Sequence, residues 1–249
     1  MKVLTGIAKL FTLLLIFGSC AVTKKQVVSY NTSYTIIDSS IHRDTTFETF
    51  LSPYRKKMDT IMNEIIGYSD VPLSKAQPEC TLGNFMTDAQ LQYAQKRYPK
   101  VVISVINYGG IRLPYVGPGA ISKGKIYEIM PFDNMLTIVD IPGKTLRQFC
   151  NHMASYGGWP ITGLTYSIKG KEAENILVNG QPVNDQIIYE TALSDYIANG
   201  GDNCDFLADC KKEYLDVFIR DILIEHIRAL QAKGQKLHVE LEKRIRYAE

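Results

Sequence analysis

The feature that most constrains this chain is an apolar strand signal that runs straight into a glycine turn. Val101-Val102-Ile103-Ser104-Val105-Ile106 is followed at once by Asn107-Tyr108-Gly109-Gly110-Ile111-Arg112. A short β-branched run closed by turn residues reads as a buried strand. The same junction recurs along the chain. Pro131-Phe132-Asp133-Asn134 precedes a strand predicted at residues 135–141. Asp195-Tyr196-Ile197-Ala198-Asn199-Gly200-Gly201-Asp202 follows another at 187–193. A further polar segment, Glu79-Cys80-Thr81-Leu82-Gly83-Asn84, opens a helix. Strands that begin or end in such loops collect them at one end of a sheet, where small-molecule sites form on a rigid scaffold.

Helical periodicity separates these strands. Residues 45–66 place Phe47, Phe50, Leu51, Tyr54, Met58, Ile61, Met62, Ile65 and Ile66 at spacings of three and four, which predicts an amphipathic helix. Pro53 falls inside its first turns and marks either its true start or a kink. A second helix is predicted over 81–98 with Thr81 as N-cap, and others over 123–129, 143–155 and 214–232. Residues 33–39, 164–168 and 175–178 have strand character, and Asn179-Gly180 is a hairpin dipeptide, complicated by Pro182. No linker divides residues 40–240 and no repeat appears. The expected fold is a single α+β domain with a mixed β-sheet flanked by helices.

Composition enters by exclusion. Lys+Arg 28 against Asp+Glu 26 leaves a formal charge of +2, with no cationic excess for a nucleic-acid backbone. The histidines are His42, His152, His226 and His238, too scattered for a dinuclear metal centre. His152 and His226 fall in predicted helices and read as structural or surface residues. Cys80, Cys150, Cys204 and Cys210 show no metal-ligand spacing. Three full disulfide pairings are open to them in an oxidising compartment, and buried free thiols are the alternative.

The N-terminus is an address. Lys2 and Lys9 precede a short apolar run, residues 10–17, that ends in Gly18-Ser19-Cys20. That pattern reads as a secretory signal over residues 1–19, too short for a comfortable membrane span of roughly 20 apolar residues. Small residues directly before Cys20 resemble a bacterial lipobox, which makes Cys20 the lipidation site. Residues 20–40 are then anchor and tether, and 41–249 the domain. The expected location is the bacterial cell envelope, membrane-bound through the lipid and facing the periplasm.

The chemistry lies in the loops. Paired glycines such as Gly109-Gly110 let a backbone approach a ligand and present its N–H groups. Arg112 supplies a planar fork for phosphate or carboxylate. Phe132 and Tyr196 are flat faces on which a nucleobase stacks. Asn134 and Asp202 can read polar edges and sugar hydroxyls. Together these make the inventory of a nucleotide site.

The ordered series Glu79…Leu82-Gly83-Asn84, Asn107…Gly109-Gly110-Ile111-Arg112, Ile121…Tyr127-Glu128…Pro131-Phe132-Asp133-Asn134 and Gly200-Gly201-Asp202 resembles the C-terminal domain of the 5'-nucleotidase family over roughly residues 65–230. In that family this domain binds the nucleotide, while a separate metallophosphatase domain holds two metal ions and performs hydrolysis. The resemblance implies that Arg112 meets phosphate and that Phe132 and Tyr196 sandwich the base. It likewise implies that Asn134 bonds the base and Asp202 the ribose. Asn107, Gly109, Gly110 and Gly201 complete the implied substrate-binding set. Tyr196 stands where the family usually has Phe, and Tyr108 where it usually has Gly. Between Val71 and Glu79 the basic residue is Lys75, where the family carries arginines. No metallophosphatase motif is present in the sequence. The implied partners are a nucleotide or nucleoside and a metallophosphatase in trans, with no nucleic acid. No cofactor is expected on this chain, and divalent metals are expected on that partner.

Overall fold

The 101–106 run condenses into a three-residue strand inside a sheet. The computed structural model describes residues 29–248, so Cys20, the signal and the start of the tether lie outside the described residues. In chain order the first elements are α1 (Thr45–Met62), β1 (Ile65–Ser69), β2 (Leu73–Ser74), α2 (Thr81–Gln95), β3 (Ile103–Val105), β4 (Tyr115–Val116), β5 (Gly119–Ser122) and α3 (Lys123–Ile129). Next come β6 (Met135–Pro142), α4 (Gly143–Ser155), β7 (Ile161–Thr162), β8 (Leu164–Lys169), β9 (Glu172–Val178) and β10 (Gln181–Pro182). The last are β11 (Ile188–Ser194), α5 (Asp195–Ala198), β12 (Lys211–Phe218), α6 (Ile219–Ala232) and β13 (Ile245–Tyr247).

The main sheet has the order β12-β6-β11-β3-β7. It is mixed: β3 and β11 run parallel, and the other pairs antiparallel. A second sheet, β10-β9-β8-β13, also carries one parallel pair, β13 with β8. Side chains alternate across the main sheet as a period of two requires. On β6, Leu136 and Ile138 enter one core with Leu82, Phe85 and Met86 of α2 and Ile222, Leu223 and Ile227 of α6. Val139 and Ile141 enter the other, with Leu146, Phe149 and Met153 of α4 and Leu164, Tyr166 and Ile168 of β8. Both faces are covered, which is why these strands read as near-continuous apolar runs. This is the expected α+β arrangement of a mixed sheet between helices.

The chain divides into two units between Thr49 and Phe50, a point that falls inside α1. In the described part of the first, residues 33–39 form no strand. Asp38 instead turns the chain by accepting from Ser40 N and Oγ, and Asp44 caps α1 by accepting from Thr46 N at 2.9 Å and Phe47 N at 3.0 Å. The helix runs through Pro53 and ends at Met62, four residues short of the expected end. Ile65 and Ile66 belong to β1, where backbone pairing with β5 replaces helical bonds.

Other boundaries move for similar reasons. The N-cap of α2 is Cys80, whose Sγ accepts from Gly83 N at 3.3 Å, and not Thr81, whose Oγ1 accepts from Ser74 N. Helix α2 stops at Gln95, three residues before the expected end. The predicted 214–232 helix begins at Ile219; Tyr214 to Phe218 lie in β12, whose backbone pairs with β6. Leu215 and Ile219, four apart, fit both periods, and the free edge of β6 decides between them. The Asn179-Gly180 hairpin forms, with both residues at positive φ and Val178 paired to Gln181. Pro182 is accommodated because β10 is an edge strand.

Candidate functional site

Topology brings three of the polar loops together. Parallel pairing places the C-terminal ends of β3 and β11 at one end of the sheet, with Ala192 opposite Ser104. Antiparallel pairing brings the N-terminal start of β6 to the same end, with Leu136 opposite Ser194. Gln90, fully buried on α2, fastens β3 to β11 by donating to Ser104 Oγ at 2.9 Å and the Ala192 carbonyl at 3.0 Å. The loops leaving these strand ends enclose a cleft of about 270 Å³ lined by Asn107, Gly109, Gly110, Arg112, Phe132, Asn134, Tyr196 and Asp202.

Each wall of the cleft is braced from behind. Asp195 Oδ1 accepts from Met135 N at 3.1 Å and from Tyr196 N at 2.8 Å, which ties the β6 entry to the β11 exit. Arg220, buried at the start of α6, donates to the Phe132 carbonyl at 3.1 Å and to Asp133 Oδ1 at 2.8 Å. Its guanidinium also lies 4.2 Å from the Tyr127 ring centroid. A buried cation in a first helical turn opposes the helix dipole, so it needs these partners. Lys75 Nζ donates to the Ile111 carbonyl at 2.7 Å and sits 4.0 Å over the Tyr108 ring, holding the turn that carries Arg112. Burial, and then the Arg112 charge, push the Lys75 ammonium below its ordinary value.

Within the cleft, Arg112 is exposed, and its guanidinium lies 4.8 Å from the Phe132 centroid. The arginine therefore covers one face of the Phe132 ring. Asp202 accepts from Tyr196 Oη at 2.8 Å on one carboxylate oxygen and from Asn107 Nδ2 at 2.7 Å on the other. The bond that Tyr196 donates to Asp202 raises its phenol above the usual tyrosine value, so the hydroxyl keeps its proton. The lining carries one cation and one anion, Arg112 and Asp202.

Gly201 is set apart from the other implied residues. A Cβ there would fall 2.5 Å from the Tyr196 carbonyl oxygen and 2.6 Å from its ring. Its place is behind Tyr196, where only a hydrogen fits, and not on the cleft lining. The Glu79–Asn84 segment is also elsewhere. Asn84 Nδ2 donates to Glu79 Oε1 at 2.8 Å and the Glu240 carbonyl at 3.0 Å, while Glu79 accepts from Glu242 N and Arg244 N. That segment fastens the C-terminal strap.

The sequence assigns no role to Arg220, and His152 reads there as a structural or surface residue. The sequence holds no signal for Arg220, because a helix over 214–232 puts it in the second turn; the observed start at Ile219 makes it a first-turn cation. Among the described residues, no group of three or more His, Cys, Asp and Glu is placed to hold a metal ion, and no helix is long and apolar enough to cross a membrane. All four described cysteines are free thiols. Burial pushes Cys150 up to about 12, and burial with the Asp202 and Asp205 charges does the same to Cys204.

Comparison with known proteins gives a consistent picture. The model of the family described as 5'-nucleotidase, C-terminal domain, matches residues 61–209. The trifunctional nucleotide phosphoesterase protein YfkN of Bacillus subtilis is 28% identical over 87% of this chain and 16% of its own length. A mouse 5'-nucleotidase is 25% identical over 70% of this chain and 36% of its own. Among solved structures, a 5'-nucleotidase precursor from Thermus thermophilus superposes with a TM-score of 0.71 at 24% identity, over 83% of this chain and 44% of that one. The chain thus spans less than half the length of these relatives.

Proposed function

The chain belongs to the 5'-nucleotidase C-terminal domain family, and from that premise we propose that it is the nucleotide-binding half of a 5'-nucleotidase-type phosphoester hydrolase. It acts in nucleotide catabolism together with a separately encoded metallophosphatase. The observation that supports this reading is the convergence of eight residues from three distant loops on one cleft. Those residues supply what a nucleoside monophosphate asks for: Phe132 and Tyr196 as stacking faces, Asn134 for the base, Asp202 for the sugar and Arg112 for the phosphate. A neutral lining suits a ligand held by its base and sugar, with one arginine for its anionic end. In this reading the metals and attacking water belong to the partner, and this chain contributes orientation, which lowers a barrier by several kcal/mol when geometry is near-attack. The Lys2-to-Cys20 pattern supports an envelope location with Cys20 lipidated.

Titration with adenosine and AMP tests the cleft. Phe132→Ala and Tyr196→Ala are each expected to weaken binding by about 1–3 kcal/mol, the usual worth of a stacked base. Unchanged affinity in the double variant removes the stacking assignment. Stimulation of a co-purifying metallophosphatase tests the division of labour. Binding without any such stimulation makes the chain a membrane-anchored nucleoside-binding module.

A further inference from the structure

Asp202 is held at every polar atom by side chains from α4, α5 and the loop after β3. Its carboxylate accepts from Tyr196 Oη at 2.8 Å and Asn107 Nδ2 at 2.7 Å, and its own N–H donates to Tyr196 Oη at 3.2 Å. Its carbonyl oxygen lies 2.9 Å from His152 Nε2. A carbonyl only accepts, so that nitrogen carries the hydrogen. The residue held in this way is strained. Asp202 has φ 51° and ψ 35°, and Asn203 follows with φ 62°, two consecutive non-glycine residues in the left-handed region. Asn203 is held too, donating to Tyr156 Oη at 3.2 Å.

His152 sits half-buried in an aromatic cage, with ring centroids of Tyr156 at 5.0 Å, Trp159 at 5.5 Å and Phe206 at 5.5 Å. The cage fixes the ring and therefore the direction of its N–H. We propose that His152 and the Tyr196 hydroxyl are positioning residues that hold Asp202 in its left-handed conformation, so that its carboxylate reads a vicinal diol in the cleft. The proposal rests on the nucleoside reading of that cleft and refines its ligand to a ribonucleoside in preference to a 2′-deoxyribonucleoside.

The lone-pair inventory gives the reason. An ionised carboxylate offers about two acceptor sites on each oxygen. Tyr196 takes one on the first oxygen, and Asn107 takes one on the second. What remains is one site per oxygen, side by side and fixed in direction, which matches two adjacent hydroxyls. A phenylalanine at 196 would leave the first oxygen unheld and the carboxylate free to turn. Loss of the His152 N–H would let the Asp202 peptide relax out of the left-handed region.

The test uses the whole chain and calorimetric titration with adenosine and 2′-deoxyadenosine, alongside crystal structures of the variants. His152→Phe keeps a ring in the cage without the donor, and His152→Gln restores a donor at the same reach. His152→Phe is expected to lower adenosine affinity about tenfold, the scale of one lost hydrogen bond. It should change 2′-deoxyadenosine affinity much less, and His152→Gln should recover the preference. Tyr196→Phe should narrow the same ratio while keeping the stacking. Equal losses for both nucleosides in His152→Phe indicate a purely structural histidine and overturn the proposal. So does a His152→Phe structure with Asp202 still at positive φ and the same carboxylate bonds. If the wild-type chain binds neither nucleoside, the nucleoside reading falls, and the diol preference with it. The crystal structure then still decides whether His152 positions Asp202.

Discussion

Lys75 and Tyr108 depart from the family pattern separately in sequence, yet they contact each other in the fold. Tyr108 occupies a position usually held by glycine, and its ring lies beneath the Lys75 ammonium at 4.0 Å. The same ammonium donates to the Ile111 carbonyl, one residue before Arg112. A cation engaged in this way serves the shape of the loop that carries Arg112. Lys75→Met is therefore expected to destabilise the fold by about 1–2 kcal/mol, from one cation–π contact and one hydrogen bond. The ratio of AMP to adenosine affinity should stay as in the wild type. A selective loss of AMP binding would instead place Lys75 against the ligand. At this scale, the residue types that carry chemistry were legible in the sequence because loops of Gly, Asn, Asp and Arg are poor core formers. Gly201 was legible as special, but its reason was not, since the obstacle it avoids is the folded-back ring of Tyr196.

Among the elements, α3 and α4 occupy the boundaries their periodicity predicts. In α4, Leu146, Phe149, Cys150 and Met153 make one buried stripe, and in α3, Ser122 caps the first turn by accepting from Lys125 N at 3.2 Å. The misjudged elements include those in which a strand partner overrides local pattern, as at β12, those of two residues, such as β2, β4 and β7, where no period can be read, and the strand expected at 33–39, which finds no partner. Helix α6 carries a pH response. His226 packs on Phe85, with ring centroids 6.0 Å apart, and burial lowers it from its ordinary value of 6.5. The folded state then binds fewer protons than the unfolded state, so stability is intact above pH 6.5 and is lost as pH falls toward the lowered value. His238 acts in the opposite sense. Its bonds to Asp70 and Glu240 raise it, so its contribution is present below the ordinary value and is lost as pH rises through the folded one. That pair is exposed and screened. A urea midpoint followed downward from neutral pH should decline below pH 6.5 in the wild type and decline less in His226→Phe. Identical curves for the two would assign the decline to other groups.

At the scale of the molecule, the C-terminal strap closes the fold around one buried cation. Arg244 donates to Asp88 Oδ2 at 2.9 Å, to Thr162 Oγ1 at 2.6 Å and to the Ile161 carbonyl at 3.0 Å, and β13 follows it into the second sheet beside β8. The thiols belong to both packed cores, Cys80 to one and Cys150, Cys204 and Cys210 to the other. Cys80, Cys150 and Cys204 are buried, and Cys210 is partly so. Alkylation of the native chain at pH 8, read by mass spectrometry, should mark Cys210 first and leave the other three until unfolding (pH 8 lies well below the raised thiol values of about 12 at Cys150 and Cys204). A reducing agent should leave the melting temperature unchanged. A cystine-linked peptide from a non-reducing digest would contradict the free-thiol arrangement.

The class of the fold, the strands with apolar runs, most of the helices and the loops able to hold a ligand are all legible in the order of amino acids. Those are local properties, written in periodicity and in residue types that cannot fill a core. The tertiary structure decided which loops share a cleft, because that depends on the parallel pairing of β3 with β11 and on the antiparallel return of β6. It also moved Glu79–Asn84 from the supposed site to the C-terminal strap. It brought His152, 50 residues distant in the chain, onto the carbonyl of Asp202. The physical reason is the same in each case. A hydrogen bond or ring contact between distant residues is set by strand register and helix rotation, and neither leaves a mark on the local sequence.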